Sequence, residues 1–428
     1  MSNGDLPQVR AHYEALPYPP RDPADEGQRL LTTWLDSLAM INHYCFAGEQ
    51  GFRNGFRALV AGAGTGDTTI YLAEQLRASN AEIVHLDLSA ASTAIARRRA
   101  AIRQLDNIVW RQESLLDLPR LGLGKFDYIN CSGVLHHLAD PDAGLRALLT
   151  ALAPDGALGM MVYATYGRTG VYQMQELLRR INAGSESMER RLDNARQVLA
   201  TLPPTNWFAR AESLIADHRR GDAGIYDLLL HAQDRSYTVE QLYAWLHDGH
   251  HLHIEFSDVG RGRSPYLPEL VLAPQRPPFL TAVAQLPLRQ QYAIAELLGG
   301  TLITHSFFLT RRPRVAPYGN ASCIPFFCHE PISGPELSAI IHRNTARPFV
   351  MRHSHTGITT PLETGRFGKF ILKYIDGRRS FEQIFALVRS EEKFRKSPPG
   401  NAALFEDFAA LYGFLNAIER LLLTRCRV

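Results

Sequence analysis

From Arg57 to Asp67 the chain reads Arg-Ala-Leu-Val-Ala-Gly-Ala-Gly-Thr-Gly-Asp, a short apolar strand that breaks into three alternating glycines. Twenty-one residues after Gly66, Asp87 ends the next apolar strand, Glu82-Ile-Val-His-Leu-Asp. Gly62, Gly64 and Gly66 let the backbone turn tightly and approach a ligand closely, while the helix beginning near Asp67 directs the positive end of its dipole at the same place. The layout predicts a nucleoside site at the end of a parallel strand.

The spacing selects among nucleosides. A pyrophosphate fingerprint reads G-x-G-x-x-G and would put its third glycine at position 67, where this chain has Asp. An acid there argues against a phosphate and suits a cationic amino-acid ligand. Asp87 sits where a carboxylate accepts both hydroxyls of a ribose without a 2′-phosphate. Together they point to S-adenosylmethionine rather than a nicotinamide cofactor.

Strands and helices then alternate. Ser89 reads as the N-cap of a helix through about Gln104, Ile108 to Trp110 as a third strand, and Phe126 to Cys131 as a fourth. Asp140-Pro141 opens the next helix, and Pro154-Asp155-Gly156 turns into a fifth strand, Ala157 to Tyr163. This order predicts an α/β, doubly wound parallel sheet.

With Leu59 to Asp67, Ile83 to Ser89, Gln112 to Leu118, Phe126 to Leu138 and Ala153 to Tyr163 in order, the chain resembles the class I S-adenosylmethionine-dependent methyltransferases. The resemblance implies a seven-stranded Rossmann-like sheet with S-adenosyl-L-methionine as cofactor. It implies that Gly62, Gly64 and Gly66 face the methionine part, Asp87 with Leu88 the ribose, and Glu113 and Ser114 the adenine. Asn130, Cys131, Ser132 and Gly133 would line the methyl-transfer side. His12 to Arg21 is similar to the Tyr-Pro-Tyr-Pro leader of some members, which implies that Tyr13 and Tyr18 belong to an extended lid over the cofactor; the other reading is a proline-rich tether.

Such sheets end in an antiparallel hairpin, here expected from His251 to Phe256 and Thr301 to Thr310, after a helix over Thr238 to His247. The expected organisation is an N-terminal lid or helical segment over 1–50 and a catalytic domain over 51–312, with insertions at about 166–235 and 260–300. A linker over 313–334 and a smaller, mainly α, winged-helix-like domain over 335–428 follow. The last domain is placed by the two helices around Asp376-Gly377 and the Ser380/Gln383 capping pair.

Composition narrows the classes. The 428 residues are 45% hydrophobic with a net charge of +3, which gives no general pull toward nucleic acid. No apolar stretch approaches the ~20 residues that span a membrane, and Met1 to Pro7 is unlike a signal peptide. Five cysteines in no even pattern fit a reducing compartment. The sequence therefore predicts a cytoplasmic protein with no membrane partner.

Methyl transfer needs an aligned lone pair and, for a protonated nucleophile, a base. Candidates are His136, His137 and Tyr163, although the Leu-His-His-Leu run also reads as a turn former. Tyr166, Arg168 and Tyr172 follow the fifth strand and are candidate acceptor contacts, or only steer the chain into the insertion. Gln233 to Tyr237 is a second polar cluster, or a local helix cap. His247, His250, His251 and His253 form one histidine group; Cys323, Cys328, His329, His353 and His355 form another. Neither has compact zinc spacing, and no metal is expected. The acceptor is read as a protein or peptide from the insertions and the extra domain. A small molecule is the alternative, since Gly133 to Leu138 resembles enzymes for quinones and sterols. No basic run with interleaved aromatics supports nucleic acid. A protein that binds the cofactor without catalysis is the reading of another class.

Overall fold

The computed structural model describes residues 7–185, 187–329, 332–344, 349–352 and 357–426. They form two compact units. The first comprises Met1–Asp36, Phe52–His250 and Gly300–Arg311, and the second Ser37–Gly51, His251–Gly299 and Arg312–Val428.

In the first unit, β1 (Arg57–Ala61), β2 (Glu82–Leu86), β3 (Ile108–Arg111), β4 (Phe126–Ser132) and β5 (Leu152–Ala164) lie parallel in the order β3-β2-β1-β4-β5. Strands covered on both faces read as continuous apolar runs, and Leu59, Ile83, Ile129 and Leu158 are fully buried. β6 (Ser236–Tyr237) pairs with the last residues of β5, and β8 (Thr304–Thr310) runs antiparallel along it, with Leu158 opposite Leu309. These strands belong to the expected doubly wound sheet, which holds eight strands rather than seven. β5 starts earlier than expected, because Leu152 already pairs with Phe126 before a register shift at the Pro154 to Gly156 turn.

Between β1 and β2 runs α3 (Asp67–Gln75), and between β2 and β3 runs α4 (Ala90–Ile102). Ser89 caps α4 as expected, its hydroxyl accepting the Ser92 N–H at 3.0 Å. Residues 166–235 leave the sheet at the end of β5 and return to it at β6, so the insertion begins and ends at the carboxyl edge where ligands of such sheets bind. Its helices close on their own core of Val171, Met174, Leu178, Phe208, Ile225 and Leu229.

In the second unit, α2 (Leu38–Cys45) packs with β12 (Leu421–Thr424). Asn42 donates to the Thr424 hydroxyl at 3.0 Å, and the Tyr44 hydroxyl donates to Glu419 at 2.9 Å. β9 (Ile324–Phe327) pairs antiparallel with β12. β7 (His253–Phe256) and the 260–300 segment also belong here: Arg263 donates its backbone N–H to Ala417 and its guanidinium to Asn416. This division differs from the boundaries expected at 50, 312 and 334. Residues 313–334 are not a free linker, since Ala316 and Cys323 are core residues beside Leu372, Phe381 and Leu421. The expected C-terminal domain holds helices Gly334–Arg343, Gly368–Lys373, Phe381–Ser390 and Asn401–Ala417, with a hairpin of β10 (Phe349–Arg352) and β11 (Thr359–Leu362) after the first. Among the described residues no helix is long and apolar enough to cross a membrane.

Candidate active site

The site grows from the turn after β1. Gly64 has φ +54°, and a Cβ there would lie 2.9 Å from the Tyr18 carbonyl oxygen. Gly66 has φ +97°, and its Cβ would lie 2.7 Å from that of Ala96 on α4. Both positions need glycine for conformation and for space. Asp87 closes the turn from below: one oxygen accepts the Gly64 N–H at 2.7 Å and the other the Ser89 N–H at 2.8 Å. Burial raises its pKa, against the pull of those two hydrogen bonds. Each oxygen keeps a lone pair, so this cradle fits a ribose diol.

The other positions singled out along the sheet edge differ in what they present. Leu88 is half-buried; Glu113 is exposed; Ser114 is buried, its hydroxyl accepting the Leu116 N–H. Asn130 turns toward Asp36, to which its amide donates at 2.8 Å, and Ser132 bonds back to it. Cys131 is fully buried and its thiol is pushed up to about 12 by burial, so its side chain is core.

Asp67 is not free for a cationic ligand, as its position in the sequence suggested. Arg21 donates to it at 2.9 Å and Arg99 at 2.7 Å. Burial alone would raise its pKa, and the two guanidinium groups overcome that and hold it low. Arg99 also reaches the buried Glu26 at 2.8 Å, and Arg103 completes the set. This ion network fastens the N-terminal segment to α3 and α4.

That segment is helical first and irregular later. α1 (Pro7–Ala15) includes His12 and Tyr13, because the prolines that would break it begin only at Pro17. Glu14 accepts the Ala90 N–H at 2.7 Å and that of Ala91 at 3.1 Å, capping α4 from outside. The Ser89 hydroxyl donates to the Tyr13 carbonyl and the Thr65 hydroxyl to the Pro19 carbonyl. Tyr18 donates to Asp217 at 3.2 Å, inside the insertion. The segment therefore runs as a strap over the glycine turn, tied at both sides.

Beneath the strap lies a buried polar cluster. The Tyr13 hydroxyl donates to Asp227 at 3.1 Å and lies 3.5 Å from His231 Nε2. The Tyr163 hydroxyl donates to the other Asp227 oxygen at 3.4 Å. His137 stacks on His231 with ring centroids 3.8 Å apart, its Nδ1 2.8 Å from the Gln233 carbonyl. His136 is fully buried against the Tyr163 ring at 3.9 Å, with neither ring nitrogen hydrogen-bonded. Burial drives both histidines well below the ordinary range, and His12 to about 3. They are neutral and weakly basic near pH 7, which tells against either as the proton acceptor.

Arg168 is likewise internal. It pairs with Asp234 at 3.3 Å, lies over the Tyr163 ring at 3.6 Å and donates to the Tyr172 hydroxyl at 3.2 Å. The structure thus joins Arg168, Tyr172 and Tyr163, while Tyr166 stands apart at the surface with 39% of its area exposed. The cluster at 233–237 contributes more than a local cap, through Asp234 and the Gln233 carbonyl. His12, Asp217, Asp227 and His231 escaped the sequence reading. Only Asp227 left a trace there, as one acid inside the apolar run Ile225-Tyr-Asp-Leu-Leu-Leu230.

Described members of the two histidine groups singled out in the sequence have other partners. His250 is paired with Asp142 at 2.5 Å and His253 with Glu255 at 2.6 Å. Cys323 donates to the Pro317 carbonyl, His329 Nε2 lies 3.4 Å from Met40 Sδ, and His353 and His355 lie outside the described residues. In the buried cluster, donor atoms of His137, Asp227 and His231 come within 4.8 Å of one another. Gln233 N–H donates to His231 Nδ1, which leaves the hydrogen on Nε2, and the two imidazoles meet face to face. Neither feature presents two imidazole lone pairs to one ion.

Residues 59–158 match a family described as a methyltransferase domain. An uncharacterized protein of Synechococcus sp. is 35% identical over 313 residues, covering 71% of this chain and 72% of its own. A ubiquinone biosynthesis O-methyltransferase of Acinetobacter baylyi is 28% identical over 156 residues, 35% of this chain and 59% of that protein. Among solved structures, PKMT2 from Rickettsia typhi in complex with AdoHcy superposes with a TM-score of 0.60 at 16% identity, over 92% of this chain and 76% of that one.

Proposed function

The chain belongs to the class I S-adenosylmethionine-dependent methyltransferases, and on that premise we propose that it methylates a nitrogen or oxygen nucleophile of a protein or peptide side chain. When bound, S-adenosylmethionine supplies an activated methyl on a sulfonium. The observation that carries the acceptor reading is the insertion at 166–235, which starts and ends at the carboxyl edge of the sheet and brings Asp217, Asp227 and Asp234 over it. So large a recognition element beside the transfer site suits an acceptor that is itself a chain.

In this reading Gly62, Gly64 and Gly66 admit the cofactor backbone, Asp87 holds the ribose, and Glu113 and Ser114 border the base. The strap carrying Tyr13 and Tyr18 excludes water, and Tyr163 faces the acceptor. The winged-helix-like elements of residues 335–428 serve acceptor docking. The matched O-methyltransferases of ubiquinone biosynthesis favour a second reading, a small-molecule acceptor. Incubating the purified protein with S-adenosyl-[methyl-³H]methionine and a cell extract separates the two: acid-precipitable, protease-sensitive label supports the first, and solvent-extractable label the second.

A further inference from the structure

Asp227 sits on a π-helical turn, Tyr226–Leu230, with 3% of its surface exposed. Such turns are rare in helices and recur at functional sites. The carboxylate has two tyrosine hydroxyls and, among the described residues, no hydrogen-bonded cation. Arg168 is committed to Asp234 and to the face of Tyr163. His231 and His137 supply no charge, since burial takes the first to about 4 and the second well below its ordinary value. The remaining neighbours, Asp217 and Asp234, are acids, and Tyr18 stays a neutral phenol. A buried carboxylate without a counter-ion is costly, and here burial drives Asp227 up to about 7.

We propose that Asp227 takes the proton of the methyl acceptor, and that the acceptor reaches Asp227 as an ammonium group whose nitrogen is the nucleophile. This rests on the methyl-transfer reading above. An entering ammonium supplies the missing cation. One N–H proton passes to Asp227, giving the free amine and a neutral carboxylic acid. The nitrogen lone pair then forms the new N–C bond as the bond from the methyl carbon to sulfur breaks, its electrons remaining on sulfur. The products are a methylated ammonium, a neutral thioether and protonated Asp227, so charge and atoms balance. Tyr13 and Tyr163 are positioning residues: held well above their usual pKa by burial, they stay hydroxyl donors that fix the carboxylate.

The test uses the full chain saturated with S-adenosylhomocysteine, with n-butylammonium and n-butanol as probes in calorimetric titrations from pH 5.5 to 9. Expected is saturable ammonium binding at least tenfold tighter than that of the alcohol, strengthening as pH rises through the Asp227 transition. Asp227→Asn loses at least tenfold in ammonium affinity while S-adenosylhomocysteine binds as before. Should that variant not fold, Tyr13→Phe serves: loss of one donor moves the onset of ammonium binding to higher pH. Equal binding of the alcohol, no binding of the ammonium, or unchanged affinity and pH dependence in the variants overturns the proposal. Each of these leaves methyl transfer to side chains standing if labelled protein still forms; loss of that label, with ammonium binding intact, overturns the acceptor reading instead.

Discussion

The carboxylate of Asp87 accepts the backbone N–H of Gly64 at 2.7 Å, so the residue that ends β2 also sets the shape of the turn after β1. The acid is therefore part of the glycine turn as well as the proposed partner of the ribose.

Asp87→Ala removes both functions. Loss of a hydrogen-bonding carboxylate at the ribose costs about 1–3 kcal/mol of cofactor affinity. Calorimetric titration with S-adenosylmethionine checks this; an unchanged dissociation constant would remove Asp87 from the cofactor site.

Arg99→Met keeps the side-chain length but strips Glu26 and Asp67 of a shared cation whose side chain is 1% exposed. Breaking a buried pair on one side costs about 3–5 kcal/mol. The expected loss lies near 3 kcal/mol, because Arg103 still reaches Glu26. Urea unfolding measures it, and the double variant with Glu26→Gln should lose less than the sum of the two single changes.

Asp36 carries a pH signature. Burial raises its pKa to about 6, against hydrogen bonds from Thr68 and Asn130. The folded state therefore holds a proton that the unfolded chain has released above about pH 4. That contribution is fully present below pH 4, declines as pH rises to about 6 and is constant above, a change of about 2–3 kcal/mol. Unfolding curves of wild type and Asp36→Asn at pH 4, 5, 6 and 7 should show the wild type losing ground across that window; a constant difference would refute the shift.

Deleting residues 313–428 is expected to prevent folding rather than release a working catalytic domain. It takes Thr424 from Asn42, Leu423 from His43 and Ala417 from Arg263. Soluble yield and far-ultraviolet circular dichroism of the truncated chain decide the matter, and a well-folded product would show that α2 and residues 251–299 stand without these partners.

What was legible in the sequence was local. The glycine turn and the Ser89 cap depend on neighbours within one strand-turn-helix unit, and both took the expected form. Asp67 misled because its partners, Arg21 and Arg99, come from either side of it at a distance no local pattern encodes. The buried cluster was illegible for the same reason: Tyr13, His137, Tyr163 and Asp227 belong to four elements, and only the closed fold gives them a common centre. Arg168 looked like an acceptor contact because a guanidinium after a strand so often is one, whereas burial beside Asp234 turns it into a brace.

The hydrogen bond between Asn42 and Thr424 joins residues 382 positions apart. During synthesis at ~5–20 residues per second, α2 leaves the ribosome roughly 20–80 s before the strand that covers it exists. Its apolar face, with Met40, Ile41 and Tyr44 fully covered in the finished protein, is for that time an adhesive surface. Chaperone supply and elongation rate, more than the stability of the finished molecule, will set the yield of active protein from any expression host.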